Sequence, residues 1–353
     1  MGKLKATIEA KKFTGTRGQV RRKRIETSGA LIIAALMILW LGINLIKAPT
    51  QFAQVTVLGL RNGLLYALIA LGYTLVYGII ELINFAHGDL FMLGALFSSY
   101  FITIWFHQEN SNPAGWVTFV AALFAAMLFC GTINVLIERL AYRKLRRAPK
   151  LAPLITAVGM SFLLQFVGIK WNGSTPRQWP TVIPHGEFVI AGVIVSHVTL
   201  ILILVAAPLL GSLTFVVNKT KQGKAMRATA QDQDAARLMG IDVNKTISFT
   251  FALGGALAGA AGLLYQQSIG TTNYNLGFQL GLIAFTSAVL GGIGNLNGAV
   301  LGALLIGIVQ GLNDGLPIAL GQKWSQSVVF TILILILVLK PAGLLGKVTT
   351  EKV

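Results

Sequence analysis

From Val55 to Phe106 the chain is apolar almost throughout, with one break between Ile80 and Asp89. There Glu81, Asn84, His87 and Asp89 interrupt residues that otherwise belong in hydrocarbon. Each such group is costly in a bilayer unless it is paired or wetted, so a chain that keeps them lines a path or packs one subunit on another. The runs Ala30–Ile46 and Val328–Leu339 carry no charge at all. Residues are 54% apolar and only 12% charged, against roughly 25% charged in soluble domains. The bilayer is therefore the solvent for most of this chain. A membrane barrel needs strands that alternate over about ten residues, which these runs do not. The expected class is all-α: a polytopic membrane bundle of about 8–10 transmembrane helices, with short broken helices near a pore.

The net charge of +17 is placed in four clusters. Nine Lys and Arg lie in Met1–Arg24, six in Glu138–Lys150, six in Asn218–Lys245 and three from Lys340 onward, together 24 of 29. Each cluster adjoins an apolar segment, as the positive-inside rule predicts for cytoplasmic loops. Aromatic residues are not interleaved with the bases, so no nucleic-acid surface is expected. Candidate spans fall near 28–47, 55–80, 86–106, 116–138, 151–170, 188–216, 247–268, 279–293, 297–314 and 325–340. Starting from a cytoplasmic basic tail at 1–27, these crossings return 139–150, 217–246 and the C-terminus to the same side, where the other basic clusters lie. The expected organisation is that tail, one transmembrane domain over 28–346, and a short tail over 347–353. Both termini are then cytoplasmic, and 171–187 is an outward loop. Glu81 falls in the headgroup zone, and Arg61 is expected to snorkel at the outer end of its span.

Chemistry-bearing motifs are few. Gly223-Lys224 and Gly346-Lys347 lack the spacing and the Ser or Thr of a phosphate-binding loop, so ATP, if used, is bound by another subunit. The four His are scattered, and Cys130 stands alone. No catalytic, cofactor or metal residue is expected. Gly291–Gly298 resembles a dinucleotide loop only superficially, because no strand precedes it. Instead, Gly294, Gly298 and Gly302, then Gly307, Gly311 and Gly315, repeat at four-residue spacing, which lets neighbouring helices approach closely. The two interrupted segments also echo each other: Asn84 and Gly88 before Leu93-Gly94-Ala95, and Asn295 and Gly298 before Leu301-Gly302-Ala303. Paired interruptions in two halves point to a translocation site, with Asn84, His87, Gly88, Asp89, Gly294, Asn295, Asn297 and Gly298 as its candidates. Two simpler readings compete: Asn84 or Asp89 caps a helix, and the glycine segment only packs.

The most distinctive polar segment runs from Gly223 to Asp242. Ala225, Ala228, Ala235, Leu238 and Met239 recur at helical intervals with charges on the other face, and Asp232 and Asp234 split the segment into two short helices. Such a pair either lies flat at the membrane surface or docks in another protein's groove. The order Gly223, Arg227-Ala228, Ala235-Ala236, Gly240-Ile241-Asp242 resembles the cytoplasmic coupling loop of branched-chain amino acid permeases of ABC importers. Three more segments share that resemblance: Tyr66–Thr74 leading into Ile83–Asp89, Ala288–Gly294 followed by Gly298-Ala299, and Lys340–Gly346. The likeness runs in order from Val55 to Gly346. Met1–Lys47 departs from it.

The resemblance implies an inner-membrane permease moving neutral amino acids such as leucine, isoleucine and valine. It also implies two ABC ATPase subunits, a second permease subunit that is usually a different chain, and a periplasmic solute-binding protein. Gly223, Arg227, Ala228, Asp232, Ala235, Ala236, Gly240 and Ile241 are then the ATPase-coupling residues, with Arg227 and Asp232 pairing either with the ATPase or inside the hairpin. A permease for urea and short amides is the alternative within the family. A lone ion-coupled transporter is the alternative outside it, and the scarcity of acids in the spans argues against that one.

Overall fold

Apolar surface decides the layering of this chain. In the computed structural model, residues 35, 37–107, 114–146, 148–149, 151–180, 182–184, 186–340 and 342–346 are described. Among the described residues eight helices are long and apolar enough to cross a membrane, and two shorter apolar helices accompany them. The basic tail and the first part of the expected span 28–47 lie outside the described residues.

In chain order the helices are α1 (Met37–Lys47), α2 (Pro49–Ile80), α3 (Ala86–Tyr100), α4 (Gly115–Ile137), α5 (Leu151–Asn172) and α6 (His197–Lys219). They continue as α7 (Lys221–Gln231), α8 (Gln233–Leu238), α9 (Val243–Ile269), α10 (Leu276–Gly291), α11 (Leu296–Gly315) and α12 (Ser325–Leu339). A π turn, Glu138–Tyr142, and a 3-10 turn, Arg143–Leu145, prolong α4. Of the most apolar stretch in each, 78% is buried in α2 and α9 but 28% in α5 and α6. The first pair is thus the core. The second pair leaves side chains such as Phe162, Phe166 and Leu204 exposed, which suits lipid or a partner subunit.

One expected boundary is corrected. The span placed at 188–216 begins only at His197, because β2 (Glu187–Ile190) and β3 (Val193–Ser196) form an antiparallel hairpin. Five of its eight strand residues are β-branched, and its turn, Ala191-Gly192, has φ of 51° and 82°, the positive values of a tight two-residue hairpin. Hydropathy alone does not separate such a hairpin from a helix end. β1 (Arg177–Gln178) pairs with β4 (Thr271–Thr272) and ties the 171–187 loop to the end of α9. Trp179 reinforces this by donating its indole N–H to Gln267 Oε1 at 2.7 Å.

Glycines bring the central helices into backbone contact. A Cβ on Gly307 of α11 would lie 2.3 Å from the backbone nitrogen of Gly63 of α2, and one on Gly311 would lie 2.6 Å from the Val55 carbonyl oxygen. Gly298 and Gly302 face Gly291 and Ser287 of α10 instead. The four-residue repeat therefore serves two neighbours in turn, and the packing reading of these glycines holds. Dispersion between closely packed helices is the main attraction available in lipid, where the hydrophobic effect is absent.

Replacing Gly307 with Val should lower stability by about 1–3 kcal/mol, the usual cost of overpacking. Gly159→Ala, at a site with nothing within 4 Å of the added carbon, should be neutral. Thermal unfolding of the purified protein in detergent, followed by size-exclusion, separates the two outcomes.

Candidate functional site

All the described loops that carry basic clusters gather at one end of the bundle. Arg146, after α4, donates to Asn244 Oδ1 at the start of α9 at 2.8 Å. Gly292 lies against Gly343 and Gly346 of the C-terminal segment. The two sequence runs Ala288–Gly294 and Lys340–Gly346 are halves of one contact: Leu344 N–H donates to Leu290 O at 2.8 Å, and Leu345 N–H to Gly291 O at 3.0 Å. Asn295 completes it by donating to Leu345 O at 2.8 Å while accepting from Gly298 N–H at 3.1 Å, which caps α11. Asn297 and Gly294 are exposed beside it.

The α7–α8 hairpin projects from this end. Thr220 Oγ1 accepts from Gly223 N–H at 3.1 Å and starts α7, and Asp232 Oδ1 accepts from Asp234 and Ala235 N–H at 2.9 Å each and starts α8. Asp232 is thus a helix cap. Gly240, at φ 83°, ends α8, with Ile241 N–H reaching back to Ala236 O at 3.0 Å. That left-handed helix stop is one a glycine fills without strain. Asp242 then caps α9 through Lys245 N–H at 3.0 Å. That same N–H holds the Asp242 carboxyl below its ordinary value. The cap therefore persists above the usual carboxylate range and fails only as pH falls through the lowered value.

The hairpin is anchored rigidly. Arg227 donates to the Val217 carbonyl at the end of α6, so it pairs with backbone and not with an acid. A Cβ on Gly223 would come within 2.1 Å of that same carbonyl oxygen, so only glycine lets α7 fold back on α6. The single apolar face expected for the pair is split between two sides. Met226, Thr229 and Ala236 are buried, Ala228 is half-buried and Ala235 is exposed. Leu238 and Met239 point outward, 91% and 71% exposed. Two large apolar side chains thus stand on a stiff, charged knuckle.

The break after α2 goes back into the bundle. Glu81 leaves the helix at φ 51° and is exposed, as expected. His87 then lies against Gly72, where an added Cβ would sit 2.1 Å from Nε2. Since Gly72 is two turns before the end of α2, α3 starts about 12 Å inside the bundle. Gly88 faces Gly277 and Gly281 near the start of α10. Neither ring nitrogen of His87 makes a well-formed hydrogen bond, although the Ile69 carbonyl is nearby. Asp89, fully buried, accepts from Ser161 Oγ of α5 at 2.5 Å.

The capping reading of Asn84 and Asp89 does not hold, because no side chain caps α3. Asn84 is instead a cross-link. It accepts from Tyr142 Oη at 2.7 Å and donates to Asn134 Oδ1 at 3.5 Å, while Asn134 donates to Phe251 O of α9 at 2.7 Å. The turn that carries Tyr142 also carries Glu138, fully buried. Glu138 accepts from Arg143 at 3.0 Å, from Ser248 Oγ at 2.6 Å and from Arg146. Sequence reading missed Glu138, Asn134, Tyr142 and Ser248. The one signal was a lone acid inside the basic stretch Glu138–Lys150.

The two interrupted segments do neighbour each other: Ile83 and Ile293 share the walls of one small hollow with Tyr73 and Phe285, and Gly78 faces Gly294. A cavity of about 670 Å³ between α4 and α6 is almost entirely apolar, with His197 the one ionisable residue among the described residues that line it. It offers little to a charged solute.

Residues 55–338 match the family described as the branched-chain amino acid transport system permease component. The chain belongs to this family. It is 38% identical over 308 residues to the high-affinity branched-chain amino acid transport system permease protein BraD of Pseudomonas aeruginosa, covering 86% of this chain and 98% of the relative. To LivH of Escherichia coli K12, a permease protein of the same description, it is 37% identical over the same shares. A probable LivH permease of Methanocaldococcus jannaschii is 29% identical over 293 residues, or 80% of this chain and 89% of that one. No solved structure shows a significant match.

In this permease, Glu138→Gln should cost about 3–5 kcal/mol, because it strands Arg146 and Arg143 beside a neutral group. Asp234→Asn should cost less than about 1 kcal/mol, since its pair with Arg237 is exposed and screened by solvent. Melting temperatures of the two variants in detergent test this ordering.

Proposed function

We propose that this chain is the membrane-spanning permease subunit of a binding-protein-dependent importer for branched-chain and other neutral amino acids. Its energy comes from ATP bound by partner subunits. The observation that carries the reading is the α7–α8 hairpin, which is stiffly anchored and tipped by Leu238 and Met239 at 91% and 71% exposure. A groove on each of two ATPase subunits receives such a knuckle, one from this chain and one from a second permease. The hairpin end then faces the cytoplasm of an inner membrane, with the basic clusters beside it. A periplasmic solute-binding protein loads the opposite end.

In this reading Gly223, Arg227, Ala228, Asp232, Ala235, Ala236, Gly240 and Ile241 hold the knuckle's shape rather than touch the ATP. Closure of the ATPases pushes α7 against α6 and α2, whose Thr74, Leu75 and Gly78 line a shallow hollow with Met226, Arg227 and Gly294. The motion reaches the breaks at Asn84–Asp89 and Gly294–Gly298, where the path narrows or opens.

One observation bears on the ion-coupled alternative. Acids are scarce in the described spans, as expected, but Asp89 and Glu138 are fully buried. Glu138 is neutralised by arginines, which leaves Asp89 as that reading's only acid among the two. The decisive experiment reconstitutes the permeases with their ATPases and binding protein in liposomes and follows L-leucine and urea. Leucine uptake should require ATP, and Leu238→Asp together with Met239→Asp should reduce it at least tenfold while leaving the permease folded. Uptake driven by a proton or sodium gradient without ATP would overturn the proposal.

A further inference from the structure

The half of the bundle away from the hairpin holds a second cavity that the coupling machinery does not use. Its volume is about 430 Å³, within the range of roughly 300–1,000 Å³ usual for small-molecule sites. It opens between α2, α9, α10, α11 and the start of α12. Unlike the apolar hollow between α4 and α6, its lining is mostly polar. Tyr66 of α2 and Gln310 of α11 meet on its wall, the phenol donating to Gln310 Oε1 at 2.7 Å. Leu65, Leu280 and Ile283 form an apolar side.

Its two charges have opposite sign and sit at opposite helix ends. Asp314 lies in the last turn of α11, and Lys323 lies just before the first residue of α12. Carbonyls at the C-terminus of α11 add negative potential beside Asp314, and amides at the N-terminus of α12 add positive potential beside Lys323. No side chain caps α12. Ser325, its first residue, lines the cavity at 5% exposure, and its buried hydroxyl has no partner. A buried hydroxyl without a partner is costly, and this one belongs to a residue that lines the cavity. Arg61, within electrostatic reach of the cavity residues Tyr66 and Tyr265, is half-buried with its Nε enclosed and unpartnered. It is not simply snorkelling.

We infer that this cavity binds the zwitterionic head of a free amino acid, with the carboxylate at Lys323, Ser325 and the α12 N-terminus and the ammonium at Asp314. The aliphatic side chain then lies on Leu65, Leu280 and Ile283. An uncharged solute such as urea makes no use of the Asp314–Lys323 arrangement. The inference rests on the permease reading above and adds to it a substrate site within this chain.

The test measures binding of radiolabelled L-leucine to the assembled transporter in nanodiscs, without binding protein and without ATP. Wild type should bind saturably. Competition by leucinamide, which lacks the carboxylate, and by 4-methylpentanoate, which lacks the ammonium, should each be at least tenfold weaker. Asp314→Asn should weaken leucine at least tenfold and leave 4-methylpentanoate unchanged. Lys323→Gln and Ser325→Ala should weaken leucine and leave leucinamide unchanged. Asp314 and Lys323 are exposed, so these changes should leave assembly intact, which size-exclusion checks. ATP-driven uptake with no saturable binding, or with unchanged affinity in all three variants, overturns the site and leaves the permease reading standing. Absence of ATP-driven uptake in the same preparation overturns both.

Discussion

A helix that stops inside a bilayer must hand its free backbone and its polar side chains to protein, because lipid accepts neither. The break at Glu81–Phe85 imposes that requirement here, and much of the structure answers it. Asn84 is held by Tyr142 and Asn134, and Asn134 in turn holds the backbone of α9. Asp89 is met by Ser161. The glycines of α3, α9 and α10 let these helices close around the break: a Cβ on Gly88 would lie 2.3 Å from the Gly277 carbonyl oxygen, and one on Gly262 would lie 2.4 Å from that of Phe91. Glu81 itself stays exposed, and the chain from Asn84 to Asp89 survives at depth because protein buries all of it but the half-buried Phe85.

The same enclosure links the break to the hairpin. Glu138 and Tyr142 lie on one turn: the first fastens α4 to α9 through Ser248, and the second holds Asn84. Arg146 extends that turn to Asn244 beside the Asp242 cap. A push on the hairpin therefore meets a continuous polar frame and not a compliant apolar one. Packed and hydrogen-bonded frames move as units between discrete arrangements, which is what an engine housed in other subunits requires.

Much of this was legible in the sequence. Apolar runs and basic clusters foretell the helices and gather their loops at one end, and of the two residues read as the break between the short helices, Asp232 caps α8 while Asp234 lies within it. What escaped depends on contacts between distant segments. Periodicity put Ala225, Ala228, Ala235, Leu238 and Met239 on one face, but packing against the bundle buries Met226, Thr229 and Ala236 and leaves Leu238 and Met239 outward. Asn84 reads as a cap or a pore residue until Tyr142, far away in sequence, is placed against it. Likewise β2 and β3 look like the start of α6, because β-branched apolar residues suit both a hairpin and a membrane helix. Asp314 and Lys323 gave no signal, since each is an ordinary charge at a helix end and only the fold sets them on one cavity.

The central claim is that the 223–242 knuckle faces the cytoplasm and sits in the ATPase. Cysteine labelling tests it directly. With Cys130 replaced by Ala and Met239 by Cys, a membrane-impermeant maleimide should react in inside-out vesicles of the permease alone, and bound ATPase subunits should block the reaction. Labelling from the outer face, or labelling that ATPase binding leaves unchanged, would contradict the account.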